Sequence, residues 1–304
     1  MLLGPQSDYA EIAQVLDNLE VSGTVALITA GWQENEAEDD TLARRMGRPR
    51  VNLALHARSE KAFGADADLA CAAAARQKHL QHLQEFYRMR LDAVDDVASA
   101  IAVRHVDPLE LDEQRQISVT QLRHLDADHL ARCASVLDDF DATWKPRERQ
   151  AVTTHSEEIA AVIEGCDAVV IAGGHILALL NRMRLFDVLA RVGRRPIVAW
   201  SAGAMALTER IVLFHDSPPF GKNLAQVIDP GLGICPGVVV LPDMSRRVQL
   251  NKREKIGRFA QRMAPATCIA LDPGSRIEFK DGVLQQVKAE RLTIAGDVEK
   301  EWKP

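Results

Sequence analysis

The chain lacks several features that would place it quickly. Its five cysteines, Cys71, Cys133, Cys166, Cys235 and Cys268, are odd in number, widely spaced and form no CxxC pair. That argues against a disulfide framework or a structural zinc site and suits a reducing compartment. No stretch approaches the roughly 20 apolar residues that span a bilayer. The opening MLLGPQSDYAEIAQ has no basic segment followed by an apolar run, so no signal peptide is expected and the expected location is cytoplasmic. There is no excess of positive charge. The formal net charge of -6 leaves no electrostatic reason to expect nucleic acid or an anionic membrane as partner. No Gly-rich segment has dinucleotide-binding spacing, and no cofactor is expected.

What is present is a core. Hydrophobic residues make up 47% of 304, enough to bury one large α/β domain and to exclude global disorder. TVALITAG (24–31) is a short, partly β-branched run ending in glycine and reads as a buried strand. VNLAL (51–55) reads as a second, with a helix over the acidic-then-basic WQENEAEDDTLARRM between them. From about 57 to 150 the composition changes. DADLACAAAARQKHLQHLQEFYRMRLDAVDDVASAIAV has neither proline nor glycine, and Leu80, Leu83, Tyr87, Leu91 and Val94 recur at helical intervals. A second helix is predicted over about 110–143, after Pro108. Two long helices in succession predict an αα-hairpin, which either packs on the main domain or mediates self-association. His79 and His82, three apart, read as a solvated helix face, and no metal is expected.

Beyond residue 151 strand–helix alternation returns. SEEIAAVIEGC predicts a serine-capped helix. DAVVIAGG, RPIVAWS, VVVLP and CIALD predict strands, HILALLNRMRLFDVLARV and RVQLNKREKIGRFAQRM helices, and Asp281-Gly282 a hairpin turn. Such alternation implies a mostly parallel sheet covered on both faces, in one α/β domain over 1–304 with 57–150 as a helical insertion. Ligands in such sheets bind beyond the carboxyl ends of the strands.

Two strand ends carry the chemistry. In AWSAGAM, Ser201 follows the strand PIVAW, and the small Ala199, Ala202 and Gly203 permit the sharp turn of a nucleophile elbow. In AGGHI, Gly173 and Gly174 close the preceding strand at a helix start. Backbone N–H groups of Ala202 and of Gly173 or Gly174 could together hold an oxyanion. The plain alternative is a helix-capping serine beside two ordinary tight turns.

The runs AGGHILALLNRM and PIVAWSAGAMAL, with LLGPQ and ALITAGWQE before them, resemble the peptidase E and cyanophycinase family of serine peptidases. The resemblance covers residues 1–56 and 151–290. It implies a three-layer αβα sandwich of the class I glutamine amidotransferase-like type, with Ser201 as nucleophile. It implies an acid about fifteen residues after the elbow, a position that Asp216 fills. It also implies a histidine just after the next core strand, where this chain has Asp243. No histidine follows His215. An aspartate, with a pKa of about 4, matches a serine hydroxyl poorly unless burial raises it. His175, beside the elbow, and His215, beside the acid, are the other candidates for a base or for substrate binding. Arg246 and Arg247 either form part of a charged helix face or bind an acidic substrate. Two functions remain open. One is a hydrolase of short or aspartate-containing peptides. The other is a degenerate relative that binds a small ligand or acts as a scaffold, with a homo-oligomer through the helical insertion.

Overall fold

The computed structural model describes residues 1–6, 10–214, 224–248 and 252–304. The chain opens with β1 (Leu2–Leu3), α1 (Ile12–Asn18) and β2 (Val25–Ile28). After a 3-10 turn over Ala30–Asn35 come α2 (Asp40–Met46), β3 (Arg50–Asn52) and α3 (Leu55–Ala65). The hairpin helices α4 (Ala67–Ala102) and α5 (Pro108–Trp144) follow, then α6 (Gln150–Glu164), β4 (Ala168–Ile171), α7 (Ile176–Leu185) and α8 (Val188–Val192). The elbow lies between β5 (Ile197–Trp200) and α9 (Ala202–Ala206). The remainder is β6 (Arg210–Leu213), β7 (Gln226–Pro230), β8 (Val238–Pro242), α10 (Met244–Arg247), α11 (Arg253–Met263) and β9 (Thr267–Leu271), then β10 (Arg276–Lys280), β11 (Val283–Lys288), β12 (Glu290–Leu292) and β13 (Val298–Glu299).

The main sheet has the order β11-β10-β1-β5-β4-β2-β3. From β1 to β3 all neighbours are parallel, and β10 and β11 close one edge antiparallel. The central strands VALI (β2) and AVVI (β4) are buried at every position, as parallel strands covered on both faces must be. Their side chains alternate between two cores. Ala26, Ile28, Val169, Ile171 and Ala199 face α6 and α7. Val25, Leu27, Val170, Val198 and Trp200 face α1 and α2. The result is the three-layer α/β sandwich with a mostly parallel sheet.

Sequence reasoning expected one sheet. Instead β8 pairs parallel with β9 in a second sheet of order β13-β12-β9-β8, and β6 and β7 form a separate antiparallel pair. A third core joins this second sheet to α11 and the hairpin through Tyr87, Leu91, Leu122, Val239, Leu241 and Ile256.

Helix boundaries follow local chemistry. Asp66 caps α4 by accepting from Leu69 N at 3.0 Å. Asp107 caps α5, with Pro108 in the first turn. Arg149 grips Asp66 at 2.5 Å, fastening the hairpin base to α6 and holding that carboxyl below its usual range. Three expectations fail locally. The first helix after 151 starts at Gln150, so Ser156 is a buried mid-helix residue and not a cap. The stretch 175–192 is two helices, because Asp187 takes a left-handed conformation (φ 48°) between them. WQENEAEDDTLARRM is helical throughout only from Asp40. Its first part is the kinked 3-10 turn, and buried Glu36 accepts from His56 N and Ala57 N (both 3.0 Å) to cap α3. Among the described residues no helix is long and apolar enough to cross a membrane.

The hairpin is docked and not free along its length. Tyr87 of α4 donates its hydroxyl to Asp126 Oδ1 of α5 (2.8 Å) and accepts from Val227 N of β7 (3.1 Å). Arg262 of α11 donates to both Asp126 oxygens (2.7 and 2.6 Å), to the Tyr87 hydroxyl (2.8 Å) and to Ala225 O (2.8 Å). His129 stacks on Tyr87 with ring centroids 4.3 Å apart.

Candidate active site

β2, β4 and β5 run parallel, so their carboxyl ends meet at one edge, and glycines let them touch. A Cβ on Gly203 would lie 2.5 Å from Ile171 O and 2.9 Å from Ala172 O, so α9 is pressed onto the end of β4. A Cβ on Gly173 would lie 2.9 Å from the Ser201 Cβ and 3.6 Å from its Oγ. Gly174, at φ +120°, lies against Gly31, the small residue that ends the β2 segment. His175 N donates to Gly31 O at 2.7 Å, which ties the β2 and β4 ends together.

Ser201 sits at φ 50°, ψ -121°, in a region sparsely populated by non-glycine residues. Such a conformation costs about 1–3 kcal/mol and persists only where surrounding packing imposes it. Here the packing is explicit. Trp200 is anchored in the core on one face of the sheet and Ala202 in the core on the other, and Met205 N closes the first helical turn on Ser201 O (3.0 Å). The Ser201 side chain therefore makes no cap for α9. The plain reading of a capping serine does not describe it. Among the described residues the amides of Gly173, Gly174 and Ala202 enter no hydrogen bond.

The remaining residues singled out from sequence are more dispersed. His175 is exposed and occupies the cap position of α7, its Nδ1 accepting from Ala178 N at 3.2 Å. Asp243 lies at the carboxyl end of β8 in a left-handed conformation (φ 56°), with its amide donating to Leu271 O (3.1 Å). Its Oδ1 is buried, has no hydrogen bond and lies 3.7 Å from Arg246 Nε. Arg247 lies over the Phe214 ring, 5.9 Å from its centroid. Asp216 and His215 lie outside the described residues. His79 and His82 are exposed on α4, and among the described residues no three His, Cys, Asp or Glu side chains form a metal-holding group.

One residue at this edge escapes sequence reasoning. Gln33, two residues past Gly31, has φ 56°, ψ -121°, nearly the backbone conformation of Ser201, and is half-buried. The only signal was the Ala30-Gly31 pair closing β2. The acidic run after it suggests a regular helix.

The family model for peptidase family S51 matches residues 123–287, more than half of the chain and inclusive of the Gly173-Gly174 turn, the elbow and Asp243. Among solved structures, a peptidase from an acI-B1 Actinobacterium is similar at 19% identity and a TM-score of 0.30 over 46% of this chain. The matched region spans 60% of that peptidase's length. No match is found among the curated proteins. On the extent of the family match, this chain belongs to peptidase family S51, a family of peptidase-type hydrolases.

Proposed function

We propose that the chain is a serine hydrolase of the peptidase E and cyanophycinase type, acting on short or aspartate-containing peptides by acyl transfer through Ser201. The observation that carries this reading is the strained Ser201 with Gly173 bare beside its hydroxyl and unspent amides around it. In the reaction, Ser201 Oγ attacks the peptide carbonyl and its proton passes to a base, which returns it to the amine as the C–N bond breaks. Water then hydrolyses the acyl-serine ester and frees the acid and the hydroxyl. The amides of Ala202 and of Gly173 or Gly174 hold the developing oxyanion, which has no counterpart in the ground state and so lowers the barrier. Asp243 stands where the family has histidine, and its buried Oδ1 accepts no hydrogen bond and has Arg246 Nε at 3.7 Å. Asp216 is the residue assigned to orient the base, and Arg246 and Arg247 supply positive charge for an acidic substrate.

A second reading, a degenerate enzyme that binds a small ligand or acts as a scaffold, is favoured by one observation. His175, the histidine adjoining the elbow, uses its Nδ1 as a helix cap. A fluorophosphonate probe separates the two. Labelling of the purified chain that disappears in Ser201→Ala supports an activated serine. A folded wild-type chain that stays unlabelled, and that cleaves no aspartyl dipeptide, overturns the hydrolase reading.

A further inference from the structure

α7 begins at the glycine turn and ends, about 14 Å away at 1.5 Å per residue, beside the base of the helical hairpin. A cavity of about 250 Å³ lies there, lined in part by Arg76, Arg147, Arg184, Leu137 and Asp138. The arginines around it differ in their partners. Arg184 donates to Asp229 Oδ1 (2.8 Å) and Pro230 O (2.6 Å). Arg147 pairs with Asp141 at 2.8 Å, and nearby Arg182 with Glu60 at 3.0 Å. Among the described residues Arg76 has no carboxylate partner. Its guanidinium lies 4.3 Å from the Phe140 ring centroid, its Nη2 makes one long contact to Asn181 Oδ1 (3.5 Å), and its Nε is buried without an acceptor.

A guanidinium cannot relieve this by losing its proton, so it remains a half-buried cation. Burial, then the charge of Arg184 and, least, that of Arg182 work against it, offset in part by the carboxylates of Asp141 and Asp229. A cation so placed is unfavourable until an anion completes it. The opposite charge is also on offer at the same cavity. Asp138 is exposed and forms no ion pair among the described residues. Leu137, Leu185 and Pro230 supply apolar wall in the same cavity. The volume is several times the roughly 30 Å³ of one water, and fits a molecule of about ten heavy atoms.

We propose that this cavity binds a free α-amino acid with an apolar side chain, its carboxylate on Arg76 and its ammonium on Asp138. The site lies at the far end of α7 from Ser201, so it stands or falls independently of the hydrolase reading.

The test is calorimetric titration of the full chain with L-leucine, acetate, butylamine and inorganic phosphate. L-Leucine is expected to bind saturably and at least tenfold more tightly than acetate or butylamine, each of which carries half of its charge pattern. Arg76→Gln is expected to weaken leucine at least tenfold. Asp138→Asn is expected to weaken leucine but leave acetate unchanged. Ala134→Trp, at another residue that lines the cavity, fills it while leaving the Arg76 side chain in place and is expected to abolish binding, which guards against an Arg76 variant that fails to fold. Absence of saturable leucine binding by the wild-type chain overturns the proposal. Phosphate or acetate binding as tightly as leucine overturns the amino-acid assignment, and leucine binding that survives in folded Ala134→Trp overturns the location.

Discussion

Arg262→Met is the sharpest test of how the hairpin is held. Arg262 and Asp126 are almost fully enclosed, with side chains 5% and 4% exposed. Removing the guanidinium deletes four hydrogen bonds and leaves the Asp126 carboxylate with the Tyr87 hydroxyl as its remaining donor. A buried charge stripped of its partner costs about 3–5 kcal/mol, because the desolvation of the survivor is no longer offset. Against a typical total of about 5–15 kcal/mol, that is a large loss. The methionine itself is no burden, since it fills most of the volume with apolar atoms. The expected signature is therefore a rescue. Adding Asp126→Asn removes the orphaned charge yet keeps an oxygen for Tyr87, so the double variant is expected to recover at least half of the loss. Urea unfolding followed by circular dichroism gives the energies, and hydrogen exchange of α4 amides shows whether the hairpin loosens first. A single variant that costs less than about 1 kcal/mol, or a double variant no better than the single, refutes the idea that this pair is a buried clamp.

Three further outcomes follow from the site and the core. Gly203→Ala puts a methyl 2.5 Å from Ile171 O, a backbone atom that cannot swing away, so a loss of about 1–3 kcal/mol in urea unfolding is expected, with fluorophosphonate labelling reduced as well. Ser201→Gly is expected to be more stable than Ser201→Ala by about 1 kcal/mol in thermal unfolding, because only glycine adopts φ 50°, ψ -121° without strain, and equal stabilities would mean that the elbow is relaxed. Burial pushes the Cys133 and Cys268 thiols up to about 12 and Cys235 to about 11. An acid whose pKa is raised on folding stabilises fully below the unfolded value and loses that contribution as pH rises above it. The unfolding free energy from urea titrations should therefore fall from about pH 9 up to the folded-state values, by about 1.4 kcal/mol per pH unit for each thiol. A Cys268→Ala variant should show a shallower fall, and identical slopes would refute the assignment.

The strands VALI and AVVI at the centre of the main sheet were legible because burial on both faces demands unbroken apolar runs, and VVVLP of the second sheet was legible as a strand for the same reason. The long helices were legible from periodicity and from Asp107-Pro108. What was not legible depended on contacts between distant segments. Nothing in VVVLP or CIALD says that they pair with each other apart from the main sheet. Ser156 looked like a cap because serine precedes two glutamates, yet packing of Val152 and Ile159 carries the helix a further turn and a half upstream. The elbow was readable from small residues, since Gly203 and Gly173 have tertiary reasons to lack side chains. The strain at Gln33 was not readable, because the small residues Ala30 and Gly31 stand three and two positions before it and the acidic run after it reads as a regular helix. Arg76 was equally hidden, as its lack of a partner is a fact about α5 and α7 and not about its own helix.

The tip of the hairpin has a practical consequence. Residues 103–110 are exposed, while α4 and α5 are gripped well below by Tyr87, Asp126 and Arg262 and fastened at the base by Asp66 and Arg149. The covalent link between Val103 and Asp107 therefore joins two pieces that already recognise each other. A gene cut at this point would yield two polypeptides, one ending after α4 and one beginning at α5, with strands of the main sheet divided between them. Their reunion would rebuild the sheet and the elbow together, making this turn the natural place to open the chain for new termini or for a reporter that signals when the halves meet.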